Sequence, residues 1–210
     1  MDDMKELFLD FLQDVYYAEK QGLRGFNKLI KTVSDQALKD ALTEHKDISQ
    51  GQLERLDEVF SHVGKKPRGK KCAAMDGLLA EAAEQMSEGE KGPILDSALL
   101  ATSQAIEHYE IARYGALRAW AEAMGMDEAA ELLAQTLQEE KDSDEKLNEI
   151  SSKLNRQAAG TEEEEEEEDE DEEDEEEDDE EGSDEEEDEE EEEAPPPPPP
   201  PAPRSRRKKT

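Results

Sequence analysis

Along this chain of 210 residues, six side chains able to bind a cation fall at positions where a helical pattern calls for apolar residues. Glu19 stands one turn after Val15 and one turn before Leu23, in a stripe that also holds Phe8, Leu12, Phe26 and Ile30. His45 takes such a place among Leu38, Leu42, Ile48 and Leu56, and Gln52 follows it on the same stripe. Glu107 and Glu110 lie beside Leu99, Ile106, Tyr114 and Leu117, while Glu140 and Asp144 lie among Leu133, Leu137, Leu147 and Leu154. One carboxylate inside a helical bundle is costly, and several converging ones add mutual repulsion. A pair of divalent or trivalent cations removes both penalties, and two-metal carboxylate sites in bundles are built this way. At any single position a solvated or hydrogen-bonded side chain explains the pattern equally well. Recurrence at similar depth on four segments favours the metal reading. Hard oxygen ligands with a single imidazole suit iron first and manganese second.

Other reactive side chains carry weaker signals. His108 lies on a face of small residues (Ala101, Ala105, Ala112, Gly115, Ala119), which fits a packed histidine better than a donor to a ligand carboxylate. His62 falls at a helix end and is expected in solvent. Lysines 65, 66, 70 and 71 surround Cys72 and could lower its pKa, yet a buried structural thiol is the preferred reading. Tyr16, Tyr17, Tyr109 and Tyr114 are core residues in the helical register, one of which could hydrogen-bond a ligand.

Four long helices must position these groups. The first spans about Asp3 to Thr32; the second follows Ser34-Asp35 and runs to about His62, where Gly64 stops it. The third begins after Gly92-Pro93 and reaches about Met124, and Gly125 separates it from a fourth that starts at Asp127 and passes Leu154. Short joins at Ser34 and Gly125 imply antiparallel pairs. The second and third helices are separated by roughly thirty residues, in which Cys72, Met75, Leu78, Ala82 and Met86 mark a short helix of their own. Two hairpins joined by one long crossover make an all-α, ferritin-like four-helix bundle, assigned to residues 1–158.

Residues 159–210 read as a disordered tail. Between Glu162 and Glu193 every residue except Gly182 and Ser183 is acidic, giving 30 carboxylates that cannot collapse against their own repulsion. Residues 195–201 are a polyproline stretch of roughly 20 Å, and 204–209 are a basic end with five cationic side chains. The formal net charge of −36 is therefore concentrated in the tail, leaving an ordinary excess of 11 acidic groups for residues 1–160. Such a tail suits basic proteins or cations as partners and repels nucleic acid, which only the basic end could touch weakly. One cysteine rules out an intramolecular disulfide and suggests a reducing compartment. With no basic leader region and no window near the ~18 apolar residues of a membrane span, a soluble cytoplasmic protein is expected.

Several blocks together carry a family resemblance. They are Ala18-Glu19-Lys20-Gln21, His45 with Gln52-Leu53-Glu54-Arg55, Lys71-Cys72 with Met75 and Gly77-Leu78, Glu107-His108-Tyr109-Glu110-Ile111-Ala112 with Tyr114-Gly115, and Glu139-Glu140 with Asp144 and Leu147. In order and spacing, over about residues 4–155, the chain resembles the YciF-type, stress-associated ferritin-like family. The resemblance implies a ferritin-like fold, a homodimer, a di-metal centre of undefined activity, and a place in bacterial stress physiology. Where di-iron bundles carry Glu-x-x-His on two helices, the second helix here offers Glu44-His45 and Asp47, and the fourth offers Glu140 and Asp144 without histidine. If the centre is redox-active, the expected chemistry is ferrous oxidation by peroxide or oxygen. The competing expectation is a non-enzymatic dimeric helical scaffold whose acidic tail binds basic partners.

Overall fold

The computed structural model describes residues 3–161, and the acidic run, polyproline stretch and basic end of the expected disordered tail lie outside the described residues. Among the described residues five helices form: α1 (Met4–Thr32), α2 (Gln36–His62), α3 (Ala73–Glu88), α4 (Pro93–Ala123) and α5 (Asp127–Ala159). Local chemistry sets their ends. The Asp3 carboxylate accepts from the Glu6 amide at 2.8 Å, and Asp35 accepts from Leu38 at 2.8 Å, each satisfying an orphan donor of a first turn. Pro93 opens α4, where its missing N–H costs nothing. Gly125, in the left-handed region at φ 66°, lets α4 turn back within a few residues into α5.

The four long helices close into a bundle in which α1 packs on α2 and α4, and α5 packs on α2 and α4. The ends of the hairpins are matched by apolar contacts. Phe8 and Leu12 meet Val59, Phe60, Leu117 and Leu133 at one end, and Phe26 and Leu29 meet Leu38, Leu99 and Leu147 at the other. Because α2 finishes at the first end and α4 starts at the second, the crossover must travel the length of the bundle. It does so along α1, with the Lys70 amide donating to the Gln13 carbonyl at 2.9 Å and the Lys70 ammonium held by Asp10 at 2.7 Å. Gly69 makes this close approach possible, since a Cβ there would stand 3.2 Å from Tyr17 Cβ and 3.3 Å from its Cα. Then α3 lies on α1 and α4, with Cys72 and Met75 buried beneath it against Ala18 and Ile106.

The two end clusters are separate bodies of apolar packing. Between them sits a layer of buried polar side chains: Glu19, His45, Ser49, Gln52, Ser103, Glu107, Glu110 and Glu140. This layer gives the bundle its chemistry.

Candidate metal centre

All four long helices contribute to the polar layer at mid-length, where side chains three or four residues apart share the inward face. Glu107 and Glu110 are three residues apart on α4, and both point inward. His45 comes from α2, Glu140 from α5 and Glu19 from α1. Each of these five is at most 5% exposed, so water does not offset the charge. One ligand atom from each of His45, Glu107, Glu110 and Glu140 lies within 4.8 Å of the others. His45 Nε2 is 3.4 Å from Glu107 and 3.9 Å from Glu140.

The hydrogen bonds around the cluster orient it and leave its centre unsatisfied. His45 Nδ1 sits 2.7 Å from Ser143 Oγ. A proton on Nδ1 donated to Ser143 leaves the Nε2 lone pair on the carboxylate side, where the Ser49 hydroxyl stands 3.3 Å away, and this is the tautomer that a metal at Nε2 requires. The Tyr114 hydroxyl donates to Glu19 at 2.5 Å. Arg55 donates twice to Glu139, at 2.8 Å to each oxygen, and also to Thr136 at 2.7 Å. Gln52 Nε2 donates to the same Glu139 at 3.2 Å, which leaves its carbonyl oxygen free. Glu107 Oε2, both oxygens of Glu140 and Gln52 Oε1 are buried with no donor aimed at them, and only a proton shared between Glu107 and Glu140, or a reoriented Gln52 amide, could meet part of that need. Buried polar atoms are nearly always satisfied, so four orphans in one place are the mark of a binding site.

Electrostatics agree. Burial raises Glu19 to about 7, against the opposing hydrogen bond from Tyr114. Burial likewise holds Glu107, Glu110 and Glu140 well above the usual carboxylate range, and repulsion among these carboxylates and Glu19 adds to it. Burial also pushes His45 down to about 4, so near neutral pH its imidazole meets Glu107 uncharged. A protonated cluster is one that has protons to exchange for a cation. The group fits a metal by donor type as well, with oxygens and one imidazole nitrogen converging from separate rigid helices.

Of the six ligands expected from the sequence, His45, Glu107, Glu110 and Glu140 are gathered within 4.8 Å. Glu19 and Asp144 stand outside that set. Glu19 is bound to Tyr114 yet near enough to raise the other three acids. Asp144 is at the rim, 15% exposed, with a carboxylate oxygen 3.2 Å from His108 Nε2. His108 itself is not packed against a helix as expected. Its side chain is 68% exposed and reaches Asp144 of α5 from a face of α4 on which Ala101, Ala105, Ala112 and Ala119 are exposed. Tyr114 is the tyrosine that bonds a cluster carboxylate, whereas Tyr17 donates to Asp76 and Tyr109 to Asp14, each at 2.8 Å. Cys72 is buried as expected, and Lys70 and Lys71 pair with Asp10 and Asp76.

Two contributors escape a reading of the sequence. Ser143 stands three residues after Glu140, the place where bundle di-metal sites carry histidine, and that spacing was the available signal. Arg55 and Glu139 stood out only as members of the blocks that carry the family resemblance, since arginine and glutamate on partly solvated helix faces are ordinary.

The fold and this site together define a ferritin-like helical bundle whose buried histidine–glutamate group could hold a metal ion. Residues 3–160 match the family described as a domain of unknown function, DUF892, and the chain belongs to that family. It is 41% identical over 160 residues to protein YciF of Escherichia coli K12, covering 75% of this chain and 96% of that one. The crystal structure of the E. coli stress protein YciF superposes with a TM-score of 0.71 over 73% of this chain and 98% of YciF. YcfI from Rhodopseudomonas palustris does so with 0.69 at 46% identity, over 70% and 94%. A Xanthomonas campestris protein at 23% identity, TM-score 0.59 over 71% and 92%, shares the fold. Among the described residues no helix is long and apolar enough to cross a membrane.

Proposed function

We propose that this protein is a metal-binding member of the YciF-type family, holding two cations in the polar layer, with iron the first candidate and manganese the second. The observation that carries this reading is the convergence of four unpartnered buried oxygens on Glu107, Glu140 and Gln52 beside His45 Nε2. Charge supports two ions rather than one, because the carboxylates of Glu19, Glu107, Glu110 and Glu140 balance two divalent cations once deprotonated. His45, Glu107, Glu110 and Glu140 would hold them directly. Glu19, steadied by Tyr114, would supply the fourth carboxylate, and Asp144 would complete the shell at the rim. Bound iron would supply ferrous oxidation by peroxide or oxygen, a reaction suited to the stress role given to the E. coli relative. The chain's own part is to fix Nε2 through Ser143, to neutralise Glu139 through Arg55, and to exclude bulk water with the apolar clusters on either side.

A cytoplasmic homodimer is the setting we assign to it. A second reading makes the bundle a scaffold whose acidic tail binds basic proteins or cations, and the proposal of the R. palustris relative as a structural protein favours it. Elemental analysis of the purified protein after dialysis against ferrous or manganous ion separates the two. The metal reading expects close to two ions per chain that chelator removes, and a melting temperature that rises when they return. A ligand bound only to the folded state adds about 2.7 kcal/mol at a hundredfold excess over Kd. No retained metal and no shift would leave the scaffold standing.

A further inference from the structure

The polar layer is reached from outside by a cleft of about 200 Å³ between α2 and α5. His45 and Glu107 lie along it, and Glu107 is 1% exposed with Oε2 lacking any partner. Ser143, which holds the His45 ring, forms part of its wall. Glu44, Asp142 and Lys146 border it on the surface, where the Lys146 ammonium is bound to the Glu44 carboxylate across the gap between the two helices. The larger cleft at the Phe8 end and the groove under α3 touch none of the buried ligands.

We propose that this cleft is the access route by which a divalent cation, and then water or peroxide, reaches the polar layer, with the charges of Glu44 and Lys146 at its mouth setting the rate of entry. The proposal rests on the metal reading above and adds the size and charge of what the site admits. A space of about 200 Å³ holds several waters at roughly 30 Å³ each, below the 300–1,000 Å³ typical of pockets for organic ligands. A space of this size suits hydrated cations and small oxidants. Acidic groups at the mouth attract a cation and Lys146 opposes it. Both residues are about half exposed, and an exposed pair of this kind is too weak to bar the mouth.

The test uses the full chain, freed of metal and mixed rapidly with cobaltous ion at low ionic strength, with visible absorbance following uptake. The acidic run is common to all variants and cancels in the comparison. Lys146→Ala should load about two- to fivefold faster, the effect of removing one positive charge near the path of a divalent ion. Glu44→Lys should load slower by at least that factor, and Ile48→Trp, which fills the cleft from α2, slower still. Lys5→Ala, at the far end of the bundle, should load as wild type does. All should reach the same final amount bound, and the differences should shrink in high salt. If wild type takes up cobalt and all variants load at one rate, the access route is wrong while the metal reading stands. Changes in the amount bound rather than the rate would overturn it as well. If wild type takes up none, the metal reading itself has failed.

Discussion

Glu110 concentrates the energetic problem of the site in one side chain. Its carboxyl is buried, pushed up first by desolvation and then by Glu19 and Glu140, so without metal the fold holds it protonated at a cost. Glu110→Gln removes that cost, and the metal-free protein should become as stable or more so while its stabilisation by manganous ion largely disappears. Glu54→Gln, on the exposed face of α2, should change neither quantity in the same melts. A pH dependence follows from the whole group. A carboxylate raised above its ordinary 4.5 takes up a proton on folding, so its contribution is full below that value and lost as pH climbs toward the folded pKa, about 7 for Glu19. His45, lowered from 6.5 to about 4, acts in the opposite sense and only within that interval. Above pH 6.5 the four raised acids outweigh what remains of the opposing titration of unfolded His45. The melting temperature of metal-free protein should therefore fall between pH 6.5 and 8, and saturating manganous ion should flatten that slope. A metal-free melt that rises over this range would mean that the acids are ionised in the fold.

At the scale of elements, the α1–α2 hairpin is pinned to the start of α4 by one carboxylate. Asp96, 1% exposed, accepts from the Ser34 amide at 3.0 Å, the Ser34 hydroxyl at 2.7 Å and the Asp35 amide at 2.8 Å. These bonds hold the turn that sets the register of Glu19 against His45. Asp96→Ala should cost about 2 kcal/mol, since it removes charge-assisted bonds from the turn and leaves a cavity where the buried carboxylate stood. Urea denaturation at constant m-value is the measurement, and a loss below about 0.5 kcal/mol would show that the turn holds itself.

For the whole molecule, the uneven distribution of charge becomes a division of labour. Residues 162–193 contain no apolar side chain, so they can add nothing to either apolar cluster. Removing residues 161–210 should leave helicity and melting temperature nearly unchanged, as circular dichroism of the truncated chain would show. Precipitation or a far lower melt would mean that the tail packs on the bundle. Under the scaffold reading the same truncation should abolish capture of basic proteins; under the metal reading it should leave the ions bound by the bundle in place.

Periodicity, turn residues and joint lengths make the fold legible in the sequence itself. Asp3, Asp35, Pro93 and Gly125 end or open helices where the sequence places them, and the long stretch from Gly64 to Gly92 could only be a crossover. Glu19, His45, Glu107, Glu110 and Glu140 are visible because a polar residue in an apolar stripe breaks a pattern with a known cost. What tertiary structure alone decided was which of them share a centre. A helical stripe is wide, and the rotation of each helix about its axis is set by packing against its neighbours, so Asp144 could turn to His108 while Glu140 pointed inward. The Ser143 bond to His45, the Arg55 clamp on Glu139 and the cleft between α2 and α5 join residues about 80 to 100 positions apart, or depend on space between helices. No local pattern encodes such relations, because they exist only once the bundle has closed.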